Sequence, residues 1–246
     1  MFGIFFKKKK LKEPVDLTEL SADMHSHLIP GIDDGVPDME SALALIEGMS
    51  ELGYRKLITT PHISSDIYKN NVKIIQDGVA RVQKKVLERK IPVEIVAAAE
   101  YLIDDGFENL LKNNELMTFG NKHLLIELSY FHVPPNLFDI TFELQIKGYK
   151  IILAHPERYL YWYNDMKKYE LLKDRGIFFQ LNMISLTGHY SAEVRKMAER
   201  LIDAEMIDFL GSDLHNANYL EYLKKCRYEP YLLKALETEK ILNHTL

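Results

Sequence analysis

The chain has almost no cysteine: Cys226 is the one such residue among 246. No intramolecular disulfide can form, so a cytoplasmic setting fits, at most at the inner face of a membrane. A thiolate-rich structural zinc site is excluded as well. So is the cysteine-based route to phosphate ester hydrolysis, which needs an arginine six positions after the nucleophile, where Leu232 stands. Long apolar runs are missing, and nothing approaches the ~18–20 residues that span a bilayer. No glycine-rich phosphate loop or dinucleotide fingerprint occurs, which argues against nucleotide-cofactor chemistry. A basic excess is missing too: the net charge is −5, so there is no general field for a nucleic-acid partner.

The start, Met1 to Lys10 (MFGIFFKKKK), is not a secretory signal, in which basic residues precede a longer apolar stretch. It reads as a solvated tail, with weak association at a membrane surface as the alternative. Residues 1–20 are expected to form tail and linker. No segment rich in Gly, Ser or Pro divides the remainder, so residues 21–246 are expected to form one domain.

What is present is a repeated pattern in a chain of 47% hydrophobic content. A short apolar, β-rich run ends in a polar residue, and an amphipathic segment follows. The runs are Ala22–His27, Lys56–His62, Val93–Tyr101, His123–Ser129, Lys150–His155, Ile177–Ser185 and Met206–Asp213. Their mostly continuous apolar character suits strands buried on both faces. Between them, Pro37–Leu52, Lys69–Lys90 and Ser191–Ala204 have helical spacing, with Pro37 in a first turn, Gly53 as a stop and Ser191 as an N-cap. Alternating β and α elements imply a mainly parallel sheet with right-handed crossovers. The expected fold is α/β, a distorted (β/α)7 TIM-like barrel.

In such barrels the reactive groups lie at the C-terminal strand ends. There the chain places Asp23, His25 and His27, then Asp33-Asp34-Gly35, Thr60-Pro61-His62, Glu100, Glu127, His155-Pro156-Glu157-Arg158, the trio Gln180, Asn182 and Ser185, and Ser212-Asp213-Leu214-His215-Asn216. Residues two apart on a strand share a face, so His25 and His27 can grip one ion together. Imidazole with carboxylate suits Zn²⁺, Mn²⁺ or Fe²⁺ better than Ca²⁺. Any one piece has a bland reading, a packed histidine or a salt-bridged acid. Five histidines and several acids at one end of six of seven runs do not fit chance. His123 starts its run and so belongs to the opposite rim, while His132, His189 and His244 have no strand-end position.

These motifs, from about residue 21 to 216, resemble the PHP (polymerase and histidinol phosphatase) superfamily, and within it the metal-dependent protein-tyrosine phosphatases of the CpsB/YwqE type. The resemblance implies a trinuclear site, often filled by Mn²⁺, with iron or zinc as alternatives and two to three ions. It implies His25, His27, Glu100 and Asp213 around one ion, Glu100 bridging to a second held by Glu127 and His155, and Asp34, His62 and His215 around a third. Arg158 matches the arginine that contacts the substrate phosphate. The second arginine found in many members just after the last motif is missing here, where Ala217 to Glu221 follow. Arg158 then clamps phosphate alone, or Arg195 or Arg227 reaches in.

The chemistry expected of this cluster is phosphomonoester hydrolysis, with a metal-bridging hydroxide attacking phosphorus and Arg158 binding the non-bridging oxygens. Asp213 and His215 are candidates for proton transfer besides their ligand roles. The run Tyr159, Tyr161, Trp162, Tyr163 offers two equal readings: Tyr161 and Trp162 form a wall against a phosphotyrosine ring, or they pack the interior. The resemblance implies a phosphotyrosine protein as substrate, a tyrosine autokinase, in capsule or exopolysaccharide production. The alternatives are a small-molecule phosphatase, such as one for histidinol phosphate, and a non-catalytic binding module recruited to a membrane.

Overall fold

Residues 10–246 are described by a computed structural model, and the first nine residues, with the tail reading attached to them, lie outside the described residues. The seven runs form nine strands: β1 (Ala22–Asp23), β2 (Lys56–Thr59), β3 (His62–Ile63), β4 (Glu94–Ala97), β5 (Glu100–Leu102), β6 (His123–Glu127), β7 (Lys150–Ala154), β8 (Phe178–Asn182) and β9 (Phe209–Gly211). All pair in parallel, in sheets of order β1-β2-β4 and β3-β5-β6-β7-β8-β9.

Two expected strands are thus each broken in two, and the cause is local. Pro61 has no amide hydrogen for a ladder, so the second run stops at Thr59 and resumes at His62. The register is the same on both sides of the break, Thr59↔Ala97 and His62↔Glu100. Thr59 and Thr60 fill the gap: the Thr59 hydroxyl donates to the Ser26 carbonyl at 3.0 Å and accepts from the Leu28 amide at 2.9 Å.

The first and last runs meet along a seam. Ser26 and Leu214 form an isolated parallel bridge, the Asp213 amide donates to the His25 carbonyl at 2.8 Å, and the His27 amide donates to that of Leu214 at 2.9 Å. Below these, the Asn243 side-chain amide donates to the carbonyls of Ala22 (3.0 Å) and Leu210 (2.7 Å), while its oxygen accepts from the Leu210 amide. One asparagine side chain thus does the work of a missing rung.

The helices are α1 (Met39–Glu51), α2 (Val72–Glu88), α3 (Phe107–Asn113), α4 (Leu137–Ile146), α5 (Met166–Asp174), α6 (Ala192–Asp203), α7 (Ala217–Cys226) and α8 (Pro230–Glu237). Pro37 lies just outside α1 rather than in its first turn, because Asp38 is the cap and its carboxylate accepts from the Ser41 amide. Asn71 caps α2 and so starts it three residues after Lys69. Ser191 caps α6 as expected. Residues 11–20 are not a linker. Val15, Leu17 and Leu20 are buried, and the chain is tied to the end of α7 by Val15 N–H to Arg227 O and Arg227 Nε to Val15 O, both 2.8 Å. No helix among the described residues is long and apolar enough to cross a membrane.

Apolar packing separates into a large cluster between strands and helices and a small one of Met24, Ile58, Ala98, Phe119, Leu125, Ile152, Ala154 and Phe209. Strand alternation explains what lies next to the small cluster. Two residues beyond Ala98 is Glu100; two beyond Leu125 is Glu127; beyond Phe209 come Gly211 and Asp213; beyond Ile58 come Thr60 and His62. On β2 to β6 and β9 the apolar floor and the polar mouth thus share one face, whereas His25, His27 and His155 stand at odd spacing from Met24 and Ala154.

Candidate metal centre

All nine residues expected as ligands meet at this mouth. Single ligand atoms of His25, His27, Glu100 and Asp213 lie within 4.8 Å of one another, as do those of His27, Asp34, His62 and His215, and those of His62, Glu100 and Glu127. His155 joins through Nε2, 3.0 Å from Glu100 and 4.0 Å from Glu127. Glu100 is the hub: its second oxygen is 3.0 Å from His25 Nε2 and 3.3 Å from His62 Nδ1.

The imidazoles are oriented from behind. His25 Nδ1 donates to the Gln180 carbonyl at 2.8 Å, and the Gln180 amide is fixed by donating to Asn182 at 3.0 Å. His27 Nδ1 donates to Asp33 at 2.8 Å, and His215 Nδ1 to the Asp213 backbone carbonyl at 2.8 Å. Because these acceptors cannot donate, each ring presents Nε2 to the centre. The Nε2 atoms of His25 and His27 face each other at 3.4 Å, with the Asp213 and Glu100 oxygens 3.0–3.5 Å away. Two nitrogen lone pairs and two carboxylates aimed at one point are the donor set of a divalent cation, so these residues fit a bound metal.

Protonation follows the same geometry. Burial opposes charge on Glu100 and Asp213, yet neighbouring imidazoles, above all His25, hold both well below the usual carboxylate range. Burial and the His27 charge push His62 down, but Glu100, Asp34 and Glu127 carry it up to about 10. Without a cation, protons hold the acids together; a cation bound there takes their place. Burial lowers His155, and its Nδ1 has no hydrogen-bond partner among the described residues.

Two of the eight non-glycine residues with positive φ among the described residues lie here, His155 (φ 36°) and Asp213 (φ 50°), a conformation that costs on the order of 1–3 kcal/mol each. Pro156 follows His155 and begins a 3-10 turn that carries Arg158 to the mouth. Gly211 is required beside it: a Cβ there would lie 2.6 Å from the Gln180 amide nitrogen and 3.0 Å from the His25 Cβ.

Arg158 Nη1 donates to Asp213 Oδ2 at 3.3 Å, and its guanidinium lies between the rings of Tyr130 (4.7 Å) and Tyr190 (4.1 Å). Arg195 and Arg227 do not reach in; they bind Glu199 and Glu229, and the Val15 carbonyl, respectively. Tyr161 and Trp162 are not brought to the cluster. The Tyr161 hydroxyl donates to the Ser129 carbonyl at 3.0 Å and its ring stacks on Tyr159, while Trp162 is buried edge-on against Tyr159, Tyr161 and Tyr169. The ring wall beside Arg158 is Tyr130 and Tyr190 instead.

The sequence pattern does not single out Asp33, Tyr130 or Tyr190 as site residues, and it shows Gln180 and Asn182 at a strand end without their roles. The signal for the last two was present, since they are two apart on one strand end. Asn182 donates to Asp213 Oδ2 at 2.7 Å. Nothing local marked Tyr190, which comes from a loop.

A parallel α/β fold whose strand ends gather imidazoles and carboxylates with one arginine defines the class of metal-site α/β barrel-type proteins. The chain belongs to the CpsB/CapC family of capsular polysaccharide synthesis, whose model matches residues 21–240. It is 29% identical to the tyrosine-protein phosphatase YwqE of Bacillus subtilis over 79% of this chain and 77% of that protein. To the putative tyrosine-protein phosphatase CapC of Staphylococcus aureus it is 25% identical, over 88% and 86%. Among solved structures it resembles a chain described under crystal structures of YwqE from Bacillus subtilis and CpsB from Streptococcus pneumoniae, metal-dependent tyrosine phosphatases, with TM-score 0.77, 28% identity and coverage of 89% of this chain and 87% of that one. An amidohydrolase from Mycoplasma synoviae, at TM-score 0.53 and 11% identity, shares the fold alone.

Proposed function

We propose that this protein is a metal-dependent phosphomonoester hydrolase acting on phosphotyrosine in proteins. The carrying observation is Arg158, held 3.3 Å from Asp213 at the edge of a donor set shaped for divalent cations. The family and the named activity of its relatives support the reading. His25, His27, Glu100 and Asp213 hold one ion, Glu100, Glu127 and His155 a second, and Asp34, His62 and His215 a third. When bound, the cations, Mn²⁺ first with iron or zinc as alternatives, supply an activated water and neutralise charge on the phosphoryl oxygens.

The chain's own groups do the rest. Arg158 binds two non-bridging phosphate oxygens, for which its planar fork is suited. Tyr130 and Tyr190 fix the guanidinium plane, so little reorganisation is needed when phosphate arrives. Asp213 and His215 are the proposed proton-transfer pair through the Asp213 carboxylate, whose Oδ1 lies 3.4 Å from His215 Nδ1; the hydrogen bond of that nitrogen to the Asp213 backbone carbonyl orients the ring. The physiological substrate is proposed to be a tyrosine kinase of capsular polysaccharide synthesis.

The test is Arg158→Ala, which should lower kcat/KM on a phosphotyrosine peptide by about 10²–10³-fold with metal content unchanged. Loss of metal instead would make Arg158 a structural residue. Histidinol phosphate serves as the comparison substrate, and faster turnover of it would replace the phosphotyrosine assignment.

A further inference from the structure

Two segments flank Arg158, and neither carries a Lys, Arg, Asp or Glu: residues 128–136 between β6 and α4 and 159–163 after the 3-10 turn. In a chain with 27% charged residues this is a local depletion. The loops are tied together by the Tyr161 hydroxyl on the Ser129 carbonyl, at 3.0 Å, and by the Tyr130 and Tyr159 rings, 5.9 Å apart. From this support Phe131 projects at 91% exposure and Leu160 at 60%. Phe131 is presented by a turn in which its amide donates to the Ser129 hydroxyl at 3.2 Å. Tyr130, next to it, lies over the guanidinium. Phe131 thus follows the residue that lies over the guanidinium, and Leu160 stands two positions after Arg158.

We propose that this rim, Phe131 with Leu160, docks apolar side chains that flank the phosphorylated tyrosine of a polypeptide substrate. The proposal rests on the reading that Arg158 holds the phosphate. Tyr130 and Tyr190 stand over the guanidinium, whereas Phe131 and Leu160 are turned to solvent, so a ligand that covers them continues on either side of the phosphorylated residue. With no charge in either loop, the neighbours it selects are apolar rather than acidic or basic. Two projecting side chains fall far short of the roughly 800 Å² per partner of a stable protein interface, which favours a short segment over a second copy of this chain.

The experiment uses the metal-loaded full chain and three substrates: a phosphotyrosine peptide with Leu and Phe neighbours, one of equal length with Ser and Gly neighbours, and p-nitrophenyl phosphate. The wild type should favour the apolar peptide by about tenfold in kcat/KM, mainly through KM. Phe131→Ser with Leu160→Ser should level the two peptides and leave p-nitrophenyl phosphate turnover unchanged, which also reports an intact fold. Equal turnover of both peptides by the wild type, or a preference that survives the double variant, overturns the docking role. So does a parallel loss on p-nitrophenyl phosphate, which would make the rim part of the centre's scaffold. Self-association of the wild type that Phe131→Ser abolishes would make the rim a contact between copies. Failure of the wild type on all three substrates refutes the phosphatase reading instead.

Discussion

At the C-terminal ends of the strands, five histidines share a pocket with Asp34, Glu100, Glu127 and Asp213. At the N-terminal ends, His123 starts β6 among Phe119, Phe178 and Phe209 with no carboxylate beside it. Both settings are buried, and burial alone lowers an imidazole. It wins at His123, which burial, aided by Lys150, pushes down to about 4. At His62 it loses to three acids, and the group rises to about 10. Several close acids outweigh burial at His62, whereas burial prevails at His123 and also at His155, whose nearest acid is Glu100 at 3.0 Å.

The largest blow to that contrast is Glu100→Gln, which removes the acid common to His25, His62 and His155. Metal content measured after loading should fall by at least one ion per chain, and kcat/KM on phosphotyrosine peptide by about 10³-fold or more. Full metal occupancy in the variant would refute the hub. On the floor, Phe209→Ala should leave metal stoichiometry alone but lower unfolding free energy by about 3–5 kcal/mol in denaturant titrations. A loss below 1 kcal/mol would mean that the floor is not close-packed.

The smallest effect sharpens the comparison through pH. His123 binds its proton more weakly folded than unfolded, so the unfolded chain takes up more protons between about pH 6.5 and 4. Its contribution is fully present above that window and is lost as pH falls through it. From pH 7.5 to 5 the wild type should lose about 1 kcal/mol more stability than His123→Phe, after allowance for solvent screening. Equal losses would mean that His123 titrates normally.

Much of this was legible because it is local. Alternation along a strand put His25 with His27, and order along the chain put Glu100, Glu127, His155 and Asp213 at strand ends. Pro61 is legible too, but the apolar runs around it and opposite it are continuous, so the pattern shows two whole strands where the structure has each broken in two. Residues 11–20 read as a linker because Val15, Leu17 and Leu20 show no period; their burial is a tertiary effect, with Val15 tied to Arg227.

The kinds of donor and the end of the fold they occupy were determined by the chain alone, since side-chain direction repeats every two residues whatever the surroundings. Which groups stand behind them was decided only in three dimensions. Asp33 behind His27, Gln180 behind His25, the Tyr130 and Tyr190 rings around Arg158 and Asn243 across the seam all join residues whose spacing in sequence carries no period. Such pairings come from loop paths and packing, and the left-handed backbones of His155 and Asp213 persist because that packing outweighs their local preference.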